Sequence, residues 1–198
     1  DFANDRIIPD CVRAMEAGRE IVVRNPYSTR PFQHVLEPLF AYLEIAQKQY
    51  EDLAYQGYYN VGPDECDCVT TGELVTLFCD LWGEGASWVN RHDGGPHEAN
   101  FLKLDCSKVK KVFGWKPHFH VEEAMAATVE WSKKWLAGAD MREVTDEQIR
   151  RGCEIPVDHR RILDRNISDH GHPLLYRVEH IEERILPATH RVAAGLGN

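Results

Sequence analysis

Apolar residues recur at helical spacing over several stretches of this chain, and alternate or cluster in short runs between them. In residues 5–17, Ile7, Ile8, Cys11, Val12 and Met15 share one face, which predicts a helix. Pro9 falls in its first turn, where a missing N–H costs nothing, and Gly18 supplies a C-terminal stop. Residues 20–24, with β-branched Ile21, Val22 and Val23 at their centre, predict a short strand. A loop punctuated by Pro26 and Pro31 follows, then a short returning strand over 32–35. Residues 36–50 predict a long helix with Leu39, Leu43, Ala46 and Tyr50 at helical spacing.

Further along, Tyr58–Val61 predicts an interior strand running into the Gly62-Pro63 turn. Thr70 and Glu73 have capping-box spacing and open a helix that ends at Gly83. Short strands are expected over 86–90 and 101–104, separated by a glycine-rich polar loop. Asp105 is a natural N-cap for a helix over 106–113, which Gly114 ends. Residues 121–136 and 145–151 complete the helices of this part. Beyond residue 151 the composition changes: lysine disappears, and half of the chain's 10 histidines lie there. The chain therefore divides into residues 1–150 and an appended tail, 151–198, in which Ile181–Leu186 is the best helical patch.

The length of 198 residues suffices for one well-buried core or slightly more. A formal net charge of −9 argues against non-specific nucleic-acid binding, which needs a positive field. No apolar run approaches the roughly 20 residues that span a bilayer, so no membrane partner is expected. No basic-then-apolar leader opens the chain. The cysteines read as reduced thiols of a cytoplasmic protein, and Cys66-x-Cys68 lacks the Cys-x-x-Cys spacing of zinc or redox motifs. His118-x-His120 and His170-x-His172 lack a third ligand nearby in sequence, so they read as solvent-facing and no metal is expected.

Candidate chemistry lies in two stretches. Arg24 and Arg30 flank the Pro/Ser/Thr turn, and a rigid hairpin there would hold a planar guanidinium for bidentate phosphate recognition. A surface ion pair with Glu37 or Glu44 is the competing role for Arg30. The second stretch, residues 96–108, feeds a polar loop into a strand and then a capped helix; Glu98 can accept from ribose hydroxyls, and His97 and Lys103 can meet a pyrophosphate. Asp5 and Arg6 head the first helix, whose amides can meet an anion or be capped by Asp5. There is no Gly-x-Gly-x-x-Gly cradle, no Tyr-x-x-x-Lys pair, no Gly-x-Ser-x-Gly elbow and no His-Glu-x-x-His helix, so no complete catalytic set is visible in this chain.

Taken together, Asp1–Asp10, Arg24-Asn25-Pro26, Arg30–Pro38, Asn60–Pro63, Trp82–Trp88, Pro96–Ala99, Leu102–Lys108, Gly114-Trp115 and Trp135-Leu136 with Gly138 resemble the CDP-glucose 4,6-dehydratases, a branch of the extended short-chain dehydrogenase/reductases. The resemblance implies an α/β fold: the end of a Rossmann sheet plus a small mixed α/β substrate domain. It implies a lyase reaction in which CDP-glucose gives up hydride from C4 to bound NAD, loses water across C5 and C6, and regains hydride at C6. Such products feed deoxysugar and surface lipopolysaccharide synthesis. The resemblance also implies that NAD and the acid/base residues belong to an N-terminal half preceding this chain, that the isolated chain is inactive, and that the full-length enzyme is a homodimer. The positions that match its nucleotide-sugar pocket are Arg30, Asp5, Arg6, Pro9, Asn60, His97, Glu98 and Lys103. Another nucleotide-sugar epimerase or dehydratase, or a non-catalytic truncated product, is the alternative.

Overall fold

The computed structural model describes residues 3–91 and 101–154. Its first helix, α1 (Ile7–Glu16), buries Cys11, Val12 and Ala14 on the face the spacing predicts. Gly18 adopts φ +59 just beyond it, the left-handed turn that glycine makes without strain. Strand β1 (Ile21–Val23) follows, then β2 (Thr29–Arg30) and helix α2 (Leu36–Glu51). Next come β3 (Val69–Thr70), α3 (Thr71–Trp82), β4 (Trp88–Asn90), α4 (Ser107–Phe113), α5 (Val121–Leu136) and α6 (Met141–Glu154).

The main core forms where α1, β1, α3 and α5 converge. Ile21 and Val23 meet Val12, Val75, Phe78, Met125 and Val129 there, and Phe78 stacks on Trp82 with ring centroids 5.2 Å apart. The predicted capping box of α3 is present in full: Glu73 N donates to Thr70 Oγ1 (3.2 Å) and Thr70 N donates to Glu73 Oε2 (2.8 Å). Helix α5 has the bounds its periodicity predicts, and α6 is longer than the expected 145–151. A smaller core joins Ala41 of α2, Val61, and Cys106, Val109 and Trp115 around α4. The two cores are tied by buried carboxylates, described below.

The expected hairpin does not form. Strand β1 pairs in parallel with β4, Ile21 opposite Trp88 and Val23 opposite Asn90. Strand β2 pairs antiparallel with β3, Thr29 opposite Thr70 and Arg30 opposite Val69. The reason lies in the intervening turn: Gly72 N donates to Pro26 O (2.8 Å) and Thr71 N to Ser28 O (3.0 Å). The first amides of α3 thus take up the loop carbonyls, and the chain folds over that helix end instead of back on β1. Residues 32–35 form no strand either. They are the entry turn of α2, with Leu36 N donating to His34 Nδ1 (3.3 Å) and Glu37 N to His34 O (3.1 Å).

Helix α2 corrects a second expectation. Its buried positions are Leu36, Glu37 and Ala41, whereas Leu39, Tyr42, Leu43 and Tyr50 are exposed. The spacing identified the helix, but the face that packs on the smaller core is the other one. Tyr58–Val61 likewise has no strand partner among the described residues, and Tyr58 is 96% exposed. Residues 101–104 contribute one bridge, Phe101 opposite Thr29 in parallel, rather than a strand. The Ile181–Leu186 patch and the rest of the tail lie outside the described residues.

Candidate functional site

Thr29 is the hinge of the candidate site. It is flanked on one side by β3 and on the other by Phe101, and Leu102 N donates to Thr29 O (3.1 Å). Arg30 therefore leaves its backbone beside the segment that carries Lys103. The Arg30 side chain is partly buried, and its Nη1 donates back to Thr29 O (3.0 Å), which limits its rotamers. Lys103 pairs with Glu65 (2.6 Å) and lies 5.0 Å from the centre of the Phe101 ring. Glu65 titrates below the ordinary carboxylate range because Lys103 hydrogen-bonds to it and adds its charge. Two cationic residues predicted from separate motifs are thus brought to adjacent segments.

Asn60 approaches the same wall. Its Nδ2 donates to Asp105 O (3.1 Å), tying the 58–62 segment to the start of α4. The two segments are in close contact, since a Cβ on Gly62 would sit 3.0 Å from Leu104 Cδ1 and 3.4 Å from Cys106 Sγ. Lys110 pairs with Asp64, and Lys108 lies 4.6 Å from the centre of the Tyr59 ring, so this edge carries several cations held by aromatic and acidic partners. The N-cap of α4 is Cys106 rather than the expected Asp105, which lies one residue before it and accepts from Ser107 N (2.9 Å); the Ser107 hydroxyl and then that amide depress the Asp105 pKa.

The head of α1 is arranged differently from expectation. Arg6 occupies the N-cap position without a side-chain cap, and Asp5 does not cap the helix. Asp5 adopts φ +59 and receives Arg24 Nη2 at 2.9 Å. That pair gives Arg24 a structural role at the end of β1. Pro9 lines a cavity of about 360 Å³ between α1, the entry to α2, α5 and α6, within the size range of small-molecule sites. Gln33, Ser132 and Gln148 supply polar atoms at its wall, and Gln33 Oε1 is buried without a hydrogen-bond partner among the described residues. The structure places Pro9 on this cavity and Arg30 with Lys103 on the β2 edge, so the sequence candidates divide between two places. His97 and Glu98 lie outside the described residues.

Two buried carboxylates had no visible signal in the sequence. Glu37, 1% exposed, accepts from His118 N (2.6 Å) and Phe119 N (2.7 Å) and lies 3.4 Å from His118 Nδ1. It is therefore not available as the surface partner considered for Arg30, and His118 is not solvent-facing. Asp67, 4% exposed, accepts from Val121 N (3.0 Å) and sits 3.1 Å from His120 Nδ1. Each carboxylate reaches a residue more than fifty positions away, which no local pattern reveals. Asp67 raises the His120 pKa through the hydrogen bond and then its charge, while burial lowers that of His34.

No family model matches this chain. It is 43% identical over 152 residues to a CDP-glucose 4,6-dehydratase of Salmonella typhimurium, a match covering 74% of this chain and 42% of that relative. Among solved structures it resembles a UDP-glucuronic acid 4-epimerase from Bacillus cereus, crystallised with UDP-glucuronic acid and NAD (TM-score 0.56, 14% identity, 66% of this chain and 40% of that one). It also resembles a dTDP-glucose 4,6-dehydratase from Bacillus anthracis in complex with NAD (TM-score 0.53, 20% identity, the same coverages). The fold is that of the matching portion of extended short-chain epimerases and dehydratases, and the resemblance drawn from the motifs holds. The chain spans about two fifths of the length of these relatives.

Proposed function

We propose that this chain is the C-terminal, nucleotide-sugar-binding portion of a CDP-glucose 4,6-dehydratase, a lyase that forms CDP-4-keto-6-deoxyglucose. The 43% identity carries this reading; the juxtaposition of Arg30 with the Lys103 segment supports it. In this role Arg30 grips the diphosphate through its planar fork, and Lys103 adds charge from the neighbouring segment. The cost of ordering Arg30 on binding is reduced because its bond to Thr29 O already restricts it. Asn60 holds the pocket edge against the start of α4. Asp5 and Arg6 stand at the head of α1, and Pro9 lines the separate cavity, apart from this diphosphate grip.

The residues of this chain do not compose an NAD site. The sequence has no Gly-x-Gly-x-x-Gly cradle, and among the described residues the parallel sheet is the β1–β4 pair. The hydride chemistry therefore rests with the remaining length of such an enzyme, and this chain contributes binding and orientation. The full-length enzyme is a homodimer of the cytoplasm in this account. Among the described residues no helix is long and apolar enough to cross a membrane.

Mixing the chain with NAD and CDP-glucose tests this division. Saturable binding of CDP-glucose with no 4-keto product is expected. Turnover by the chain alone would overturn the assignment of the chemistry elsewhere, and absence of binding to any nucleotide sugar would overturn the site.

A further inference from the structure

We propose that Cys66, Asp67 and His120 form a binding site for a thiophilic divalent cation, with Zn2+ the best fit. The three ligand atoms lie within 4.8 Å of one another. Cys66 Sγ is 3.5 Å from Asp67 Oδ2, and His120 Nδ1 is 3.1 Å from the same oxygen. Zinc bond lengths in a tetrahedron give sulfur–oxygen and nitrogen–oxygen edges of about 3.5 and 3.3 Å, so the side chains already stand near ligand spacing. A thiolate, an imidazole and a carboxylate together favour zinc over calcium or magnesium, which prefer all-oxygen shells.

The ligand with least freedom is the one that is anchored. Asp67 is 4% exposed, and its Oδ1 is fixed by Val121 N (3.0 Å); Oδ2 faces Cys66 Sγ and is the nearer oxygen to His120 Nδ1, which also lies 3.3 Å from Oδ1. Such an outer hydrogen bond orients a metal-binding carboxylate. The Cys66–Asp67 and His120–Asp67 contacts are now bridged by protons. On binding, a metal–sulfur and a metal–nitrogen bond form, the thiol proton and any imidazolium proton leave to solvent, and no electron is transferred. Three protein ligands leave a fourth position for water.

Asp64 and Glu65 precede the cysteine, and Glu122 and Glu123 follow the histidine, so the surrounding charge favours a cation even though Lys110 and Lys103 offset the first two. Cys68 is not a ligand, because its Sγ turns to Asp64 O at 3.6 Å. The site thus takes one member from each of the Cys66-x-Cys68 and His118-x-His120 pairs. It would staple the 65–67 turn to the start of α5, across more than fifty residues of chain.

Co2+ titrated into the reduced chain tests this directly. One equivalent is expected to give tetrahedral ligand-field bands with a thiolate-to-cobalt charge-transfer band, both displaced by Zn2+, and Zn2+ is expected to raise the melting temperature. Cys66→Ser should abolish the charge-transfer band and His120→Ala should weaken cobalt binding at least about tenfold, while Cys68→Ser leaves both unchanged. Cys66 and His120 are exposed, so circular dichroism of both variants should match the parent. The histidines beyond residue 151 give nitrogen-only binding without a charge-transfer band. Absence of that band in the parent chain, or its persistence in Cys66→Ser, would overturn the site.

Discussion

Single residues carry the sharpest expectations. Arg30→Ala should weaken CDP binding by about 1.5–3 kcal/mol, the range for hydrogen bonds to a charged group. Calorimetry showing an unchanged affinity would remove Arg30 from the site. Glu37→Ala should destabilise the fold by about 2–4 kcal/mol, because it orphans the partly buried amides of His118 and Phe119; urea unfolding would report the loss, and a shift under 1 kcal/mol would contradict it. Two histidines should move stability with pH in opposite directions. His120, raised by Asp67, contributes fully below about pH 6.5 and loses that contribution as pH climbs through its folded value. His34, lowered by burial, is neutral in the fold, so its contribution is intact above about pH 6.5 and falls as the unfolded chain gains a proton below it. NMR titration should place the His120 midpoint above that of an ordinary histidine and the His34 midpoint below it.

Elements were legible where their signals are local. The α3 capping box, the Gly114 stop at φ +66 and the bounds of α5 all follow from residues within a few positions of one another. Pairing was not legible, because it depends on carbonyls competing for distant amides. Residues 24–30 look like a hairpin until the amides of Thr71 and Gly72 claim Ser28 O and Pro26 O. The face of α2 was hidden for a related reason: a buried glutamate replaces the apolar residue that helical spacing leads one to seek. Gly72 is where this arrangement is least tolerant. A Cβ there would lie 3.1 Å from both the Cβ and the carbonyl oxygen of Pro26. Gly72→Ala should therefore cost about 1–3 kcal/mol, by prising the loop from α3, whereas thermal unfolding at the parent temperature would show that the loop yields freely.

The whole molecule presents a continuous question of surface. Val35, Leu39, Tyr42, Leu43 and Tyr50 run exposed along α2, and Tyr58 lies nearby in sequence with no strand partner among the described residues. Exposed apolar surface on this scale marks an interaction face. In the proposed account it is covered in the full-length enzyme, so the isolated chain should bind a hydrophobic dye and associate with rising concentration; a dye-silent monomer across that range would argue otherwise. The sequence motifs named the candidate residues but not their placement. The segments that carry Arg30 and Lys103 lie side by side at Thr29, but only the fold shows that Pro9 belongs to a separate cavity and that Asp5 is engaged by Arg24. The central claim is tested most directly by calorimetric titration of the chain with CDP-glucose, UDP-glucose and dTDP-glucose in parallel. The account predicts saturable binding with CDP-glucose the tightest of the three, and equal affinities, or no binding of CDP-glucose, would contradict it.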